Sequence, residues 1–439
     1  MTLAHLRQQG RTLALIALGV ALLALTYAVH QSTDLVADNV RYVALSAAML
    51  AVCGTATALL WRRARRIDVA VVLAIALWCR LLVVADAPTL SDDAYRFVWD
   101  GRVQAAGINP YRHPPASPSL FGLRDYLIFT QVNRPFTRTG YPPTNEGAFY
   151  AINRVAGEGT TEVKSGLVVV EAATVAFLLL LLARTGMSLG RVALYAWNPL
   201  AIFEIAGTGH PEPLLIVFTL VALLAWDRRA SLTAGAALGA AVLTKFVPLL
   251  LAPFMLRRLG ARFAAALAVV AGLLLLPYLG AGTDALGSVG AFQSERFGAG
   301  PHRWLVDAGL ADRPAQALLL AVLGLGVAAT AGRPPRDLVT ACRYSALLLA
   351  GAMLASNSVQ PWYLLWILPL LCVAPVPGLL WATATVSAFY LAIEPHRVDQ
   401  DVISVIVWGP TLALLAVDVL RAWNRQRSDH AHPVVVPSG

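Results

Sequence analysis

Long apolar runs, separated by short polar stretches, dominate this chain of 439 residues. Runs of roughly 15–22 apolar residues match helices that cross a bilayer, which need about 20 residues. The first run, near residues 13–30, is long for a secretion signal and many more follow it, so we interpret it as an uncleaved helix. The pattern predicts spanning helices near residues 13–30, 40–60, 67–86, 165–183, 191–207, 213–226, 262–279, 314–331, 338–355, 362–374, 378–393 and 402–420.

A further apolar stretch at residues 231–257 is interrupted by Thr244, Lys245, Pro248 and Pro253. Proline removes a backbone donor and breaks a helix, so we expect two short helices that meet near Lys245 at the outer face. The chain then has about fourteen segments. We predict an all-α integral membrane protein, a polytopic bundle of about 12–14 transmembrane helices.

Arginine clusters between the apolar runs predict the orientation. They lie near residues 62–66, 184–191, 228–229, 257–262, 333–336 and 421–427. If the segments alternate, all of these clusters fall on one side, which the positive-inside rule makes cytoplasmic. Residues 87–164 then face outwards as a loop subdomain with amphipathic helices. We assign residues 1–428 to one transmembrane domain and residues 429–439 to a disordered cytoplasmic tail.

Composition excludes several classes of protein. At 58% hydrophobic and 13% charged residues, the chain has too much apolar surface for a water-soluble globule. The net charge of +9 arises from loop arginines rather than from one basic face, so we expect no nucleic-acid partner. Cysteines 53, 79, 342 and 372 lie in apolar segments without metal-ligand spacing and are expected to be core residues. We predict no metal site and no cofactor, although dependence on a divalent cation stays open.

The densest polar stretch follows the third predicted helix, where residues 91–112 hold six ionised side chains. Asp92 and Asp93 begin it, at the predicted outer boundary of the membrane, where partial desolvation raises the basicity of a carboxylate. The structural alternative is that an aspartate caps the helix that begins near Ala94. We predict that Asp92 is the catalytic base, and that Asp93 is the second candidate and the helix cap.

Further candidates for substrate binding lie at predicted outer helix ends. Lys245 is the best cation for a phosphate, with a snorkelling interfacial lysine as the alternative. Trp362 and Tyr363 suit either an interfacial aromatic belt or a platform for a sugar or isoprenoid. The other candidates are Tyr95, Arg96, His210, Glu212, His302, Arg303 and Gln360.

Some of these candidates can instead have purely structural roles. His210 and Glu212 can be structural residues at a turn, and His302 and Arg303 can belong to a solvated loop. Within the predicted spans, Arg80, Glu171 and Glu204 are ionisable, which favours function, although Arg80 can simply reach Asp86. We expect the outer ends near 207–213, 244–248 and 356–363 to meet the Asp92 loop in one cavity.

The order of these motifs resembles the GT-C superfamily of polyprenyl-phosphate-sugar-dependent glycosyltransferases, in particular the bacterial mannosyltransferases that use polyprenyl-phosphate mannose. The resemblance runs from about residue 70 to 370, and rests on the stretch at 91–112, YPP at 141–143, WNPL at 197–200, GTGH at 207–210, TKFVPLLLAP at 244–253 and QPWYLLW at 360–366. It implies an enzyme of the bacterial inner membrane whose active site faces the periplasm or exterior. It also implies an inverting transfer of mannose to a hydroxyl of a glycolipid, polysaccharide or protein of the cell envelope.

The residue types in these motifs suit sugar transfer from a lipid-phosphate donor. A lipid-phosphate sugar carries a good leaving group, so the enzyme needs one base for the acceptor and cations around the phosphate. The sequence has no glycine-rich phosphate loop in a strand and helix setting, which a nucleotide fold would use. The alternative is a transporter or flippase of a lipid-linked sugar, a class that usually has inverted repeats, and we find no repeat.

Overall fold

The computed structural model describes residues 3–287, 297–298 and 300–431. These residues form helices and turns, and no strand occurs among them. Six of the helices are long and apolar enough to cross a membrane, namely Gly10–His30, Asn39–Leu60, Thr160–Arg184, Ala261–Leu286, Asp312–Gly332 and Gln400–Arg421. The predicted all-α membrane bundle is therefore confirmed. Other predicted spans are shorter or interrupted helices, so the number of crossings stays a prediction.

The first part of the chain contains three long helices, then a polar loop, then a fourth long helix. The long helices α1 to α3 are Leu3–His30, Asn39–Leu60 and Arg66–Val83. The loop contains α4 and α5, at Asp93–Ala105 and Pro143–Ala156, and leads into α6 at Thr160–Arg184. Helices α4 and α5 approach closely, because a Cβ atom on Gly101 would lie 2.8 Å from the carbonyl oxygen of Phe149.

The segment predicted as one span at 191–207 is broken into short pieces. These are a 3₁₀ turn at Leu189–Val192, α7 at Ala193–Ala196, α8 at Pro199–Ala201 and a π-helix at Ile202–Gly207. The break occurs because Pro199 has no N–H and Asn198 caps the new helix, accepting a hydrogen bond from the backbone N–H of Leu200 at 3.0 Å. A π-helix widens the backbone locally and is frequent at functional sites.

Two short helices replace one span at 231–257, as the prolines predict. Helix α9 at Glu212–Asp227 is followed by α10 at Ser231–Val242, a 3₁₀ turn at Val247–Leu251 and α11 at Ala252–Leu259. Lys245 lies in the break between α10 and the 3₁₀ turn. The rest consists of α12 to α18, at Ala261–Leu275, Pro301–Asp307, Asp312–Gly332, Leu338–Leu354, Leu368–Val373, Pro377–Thr385 and Gln400–Ala431. Of the predicted disordered tail, residues 432–439 lie outside the described residues.

Buried polar contacts join the helix ends near the loop. Arg80 forms two hydrogen bonds to the carboxylate of Glu171, at 2.7 and 2.8 Å, and both side chains are buried. The alternative pairing of Arg80 with Asp86 is wrong, because Asp86 instead contacts His30 at 2.8 Å. Lys164, fully buried, donates to the backbone carbonyls of Asp86 and Gly207. These contacts hold α3, α6 and the π-helix together beside the Asp92 loop.

Candidate active site

A cavity of about 540 Å³ lies where the loop before α4 meets the turns before α9, after α10 and before α16. The sequence-based prediction that these outer helix ends share one cavity agrees with this geometry. Eight residues selected from the sequence line it: Asp92, Asp93, Arg96, His210, Lys245, Gln360, Trp362 and Tyr363. Asn133, Arg134 and Tyr141 add to the polar part of the wall, together with Ser91, Thr137, Arg138 and Thr244. The cavity therefore combines two carboxylates, several cations and an aromatic surface.

The two carboxylates are held by one amide. The Nδ2 atom of Asn133 donates to Asp92 Oδ1 at 2.9 Å and to Asp93 Oδ1 at 2.6 Å. Helix α4 begins at Asp93 rather than Ala94, and the Asp92 side chain makes no capping hydrogen bond. Ser91 Oγ instead accepts from the backbone N–H of Asp93 at 3.3 Å. The predicted capping role of Asp93 is therefore wrong, and both carboxylates line the cavity.

Asp92 has the electrostatic environment of a base. Burial raises the pKa of its carboxyl above the usual range, and the charge of Asp93 adds to this effect. The hydrogen bond from Asn133 opposes the shift because it stabilises the ionised form. A carboxylate with a raised pKa is a stronger base and accepts a proton more readily.

His210 connects the carboxylates with the aromatic wall. Its ring is buried and stacks on Trp362, with ring centroids 3.7 Å apart. Its Nδ1 atom lies 2.8 Å from Thr208 Oγ1 and 3.2 Å from Glu204 Oε2, while Nε2 lies 3.7 Å from Asp93 Oδ2. Burial lowers the pKa of this imidazole, but the hydrogen bond and charge of Glu204, and the other carboxylates, outweigh burial and raise it. His210 is therefore a cation over a wider pH range than an ordinary histidine.

The turn that presents His210 requires a glycine. Gly209 has a φ of +83°, a conformation that residues with a Cβ atom rarely adopt. A Cβ atom there would lie 2.9 Å from Lys164 Cγ and 3.3 Å from Ala94 Cβ. The glycine thus lets the His210 turn approach the first residues of α4.

Lys245 is partly buried at another part of the same wall. Its ammonium donates to Glu212 Oε1 at 2.5 Å and lies over the rings of Tyr363, at 4.3 Å, and Trp366, at 5.0 Å. Asn145 donates to the backbone carbonyl of Thr244 at 2.8 Å, which ties α5 to the residue before Lys245. The ammonium group is thus held at the cavity wall by one carboxylate and two aromatic rings.

Comparison with known proteins gives a decisive match. The sequence model of a family described as alpha-(1->6)-mannopyranosyltransferase, N-terminal domain, matches residues 9–261, more than half of the chain. The chain belongs to this mannosyltransferase family. Searches of curated proteins and of solved structures gave no significant match. The matched part of the mannosyltransferase contains Asp92, His210 and Lys245, whereas Trp362 and Tyr363 of the cavity wall come from beyond it.

Arg96 of the mannosyltransferase is anchored by a buried network. Its Nε atom donates to both oxygens of Asp100 at 3.0 Å, and its buried Nη2 atom has no hydrogen-bond partner within the described part of the chain. Glu146 packs against this pair, accepting hydrogen bonds from Thr139 at 2.7 Å and Gln104 at 2.9 Å. Burial, and then the charge of Asp100, raise the pKa of Glu146 well above its usual range, which favours its protonated form. Burial also raises the pKa of Asp100, and its two hydrogen bonds from Arg96 orient the guanidinium.

Three candidates from the sequence lie elsewhere. Tyr95 packs against the hydrophobic core and does not line the cavity. His302 lies 3.6 Å from Asp312, and Arg303 pairs with Asp307 at 3.0 Å and with Asp401 at 3.4 Å. The fold therefore does not bring His302 and Arg303 to the cavity, because α13 packs with α14 and the start of α18. Glu212 reaches the site only through Lys245.

Several site residues escaped sequence reasoning. Asn133 and Arg134 are separated from the aspartates by about forty residues of loop, and no local pattern indicates their contact. Many other polar residues lie in the same loop, so nothing in the sequence singles out this pair. Glu204 was selected as an ionisable group in a span, and it hydrogen-bonds His210 and the Tyr390 hydroxyl, the latter at 2.9 Å.

The described residues contain no cluster of metal ligands. Across residues 3–287, 297–298 and 300–431, no group of three or more His, Cys, Asp or Glu side chains is arranged to hold a metal ion. The carboxylates of Asp92 and Asp93, which both accept from Asn133 Nδ2, are oxygen ligands of the kind that a hard divalent cation prefers.

Proposed function

We propose that this mannosyltransferase transfers mannose by inversion from a polyprenyl-phosphate donor to a hydroxyl acceptor at the outer face of the membrane. The observation that carries the proposal is the single cavity in which the Asp92 and Asp93 carboxylates share a wall with Lys245 and the aromatic residues. A phosphate leaving group needs cations, a sugar or isoprenoid suits aromatic surfaces, and an acceptor hydroxyl needs a base. Family membership in turn disfavours a transporter or flippase.

In the proposed reaction, the oxygen of the acceptor hydroxyl attacks C1 of mannose. Asp92 removes the proton of that hydroxyl in the same step. The bond from C1 to the phosphate oxygen breaks, and the polyprenyl phosphate leaves with the bonding electron pair. Lys245 and the unpartnered Nη2 of Arg96 stabilise the negative charge on that phosphate. Inversion at C1 would give an α linkage from a β-configured donor.

The family description supports a choice of acceptor. A (1→6) transfer requires a sugar whose primary hydroxyl at C6 is free, and a glycolipid or polysaccharide of the cell envelope supplies such groups. In the proposed arrangement, the acceptor approaches from the outside, next to Asp92, and the donor chain lies in the membrane. Because the sugar donor at the outer face is already linked to a lipid phosphate, the reaction needs no nucleotide sugar at that face.

The test uses the purified protein in lipid nanodiscs, supplied with a short α-(1→6)-linked mannoside and one of two radiolabelled donors. Polyprenyl-phosphate mannose is expected to label the acceptor, whereas GDP-mannose is expected not to do so. A 6-deoxy acceptor is the matched control and should remain unlabelled, because it lacks the attacking hydroxyl. Equal transfer from GDP-mannose in this purified system would contradict the proposed donor, and labelling of the 6-deoxy acceptor would contradict the proposed acceptor position.

A further inference from the structure

A basic pocket lies at the end of the bundle opposite the active-site cavity. Helix α9 starts beside the cavity at Glu212 and ends at Asp227, and its 16 residues span about 24 Å. The carboxylate of Asp337 in this pocket accepts a hydrogen bond from the backbone N–H of Thr340 at 2.7 Å and so caps α15. The basic lining residues are Arg229, Arg258, Arg333 and Arg336.

These arginines are not neutralised by the protein. The Arg258 guanidinium lies over the ring of Trp226 at 4.0 Å, and its buried Nε atom has no hydrogen-bond partner among the described residues. Arg229, Arg333 and Arg336 have no ion-pair partner in the described part of the chain. Four cations around one capped carboxylate create a positive potential that attracts an anion. The positive-inside rule alone explains scattered arginines, but not their convergence on one pocket with a buried, unsatisfied guanidinium nitrogen.

An apolar groove of about 1050 Å³ continues from this pocket between α14, α15 and α18. The two cavities share Arg333 and Tyr344 in their walls, so the groove opens directly onto the arginines. Along α15 the groove extends from Arg343 to Ala355, and twelve residue steps correspond to about 18 Å. One leaflet of a bilayer has a hydrocarbon thickness of about 15 Å, half of about 30 Å. The groove therefore has the length of an acyl chain in one leaflet.

We propose that the arginine pocket and this groove form a binding site for an anionic phospholipid. The lipid phosphate lies among Arg229, Arg258 and Arg333, and one acyl chain lies along α15. Charge complementarity selects the occupant, because basic pockets between helix ends bind anionic headgroups and a zwitterionic lipid would leave the arginines uncompensated. This site is independent of the proposed function, since its cations lie at the end of α9 away from Lys245.

Native mass spectrometry of the purified protein, titrated with phosphatidylglycerol or phosphatidylcholine, tests the site. Phosphatidylglycerol is expected to remain bound more strongly. The double variant Arg258→Gln/Arg333→Gln should weaken its binding by roughly 10- to 30-fold, since each basic residue near a lipid surface contributes about a factor of five. The matched control Arg228→Gln/Arg262→Gln removes the same charge from exposed arginines at the same end that do not line the pocket, and it should leave the affinity unchanged.

A second variant tests the groove without touching the charges. A Cβ atom on Gly326 would lie 3.8 Å from Leu348 Cδ2, an ordinary contact, and Gly326 lines the groove. The larger side chain of Gly326→Leu is therefore expected to occupy groove volume without a clash at its Cβ atom. It should weaken phosphatidylglycerol binding, while glycerophosphate, which lacks acyl chains, should not compete with the lipid at equal concentration.

Four results would overturn the proposal. They are equal retention of the two phospholipids, an equal loss in the control double variant, full competition by glycerophosphate, and preferential binding of a polyprenyl phosphate at this site. The last two would identify the occupant as a free phosphate or as the donor, respectively.

Discussion

The Nε2 atom of His210 lies 3.7 Å from the Oδ2 atom of Asp93, with the histidine ring stacked on Trp362. This contact joins the acidic loop before α4 to the turn before α9 and, through Trp362, to the 3₁₀ turn Pro361–Trp366. Three segments distant in sequence thus meet at one ion pair. A protonated His210 forms an ion pair with the Asp93 carboxylate and adds a positive charge beside the cavity.

His210 is predicted to set the alkaline limb of the pH profile. Its pKa is raised, so the protonated form that contacts Asp93 persists to higher pH than in an ordinary histidine and is lost as the pH rises through that pKa. Activity should fall as the protonated fraction of His210 falls. His210→Phe keeps an aromatic ring against Trp362 but has no proton to lose, so the remaining activity should no longer fall at that pH. An unchanged alkaline limb in His210→Phe would assign the limb to another group.

Asn133 is predicted to set the acid limb through Asp92. The base must be ionised, so activity falls as the pH drops through the raised pKa of Asp92. The hydrogen bond from Asn133 lowers that pKa, and its removal in Asn133→Ala should therefore move the acid limb to higher pH. The control Asn109→Ala changes an asparagine that does not line the cavity, and it should leave the limb in place. A shift to lower pH in Asn133→Ala would contradict the assignment.

Lys245 is predicted to bind the donor phosphate. A hydrogen bond between charged groups contributes about 1.5–3 kcal/mol, so Lys245→Gln should raise the KM for polyprenyl-phosphate mannose about 10- to 100-fold. Lys245→Arg should recover part of this loss because it retains the charge. Arg228→Gln removes an exposed cation far from the cavity and should leave the KM unchanged. A normal donor KM in Lys245→Gln would exclude the phosphate contact.

Topology can be checked independently of activity. The four native cysteines are buried, so a single introduced cysteine reports its own accessibility. In intact cells, a membrane-impermeant thiol reagent should label Ser119→Cys in the exposed part of the loop, and should label Arg63→Cys only after the membrane is opened. The opposite pattern would place the cavity on the cytoplasmic side.

The sequence predicted the helical framework because apolar runs and charged loops alternate clearly along this chain. It also predicted the break at Lys245 and the convergence of helix ends on Asp92. Polar residues are costly in a membrane protein, so the few that are present are expected to cluster at a functional site. It could not place Asn133 or the pair of Asp100 with Glu146, which depend on how α4 packs against α5. For His302 the loop position was misleading, because the turn into α14 directs it to Asp312.

Kinetics of purified Asp92→Asn and Asp93→Asn test most directly whether Asp92 is the catalytic base. Asp92→Asn should reduce turnover by about 10²–10⁴-fold with nearly unchanged donor binding, the usual contribution of one proton-transfer group. Asp93→Asn, which loses its charge opposite His210 but keeps the base, should retain measurable activity. Near-normal turnover in Asp92→Asn would contradict the account.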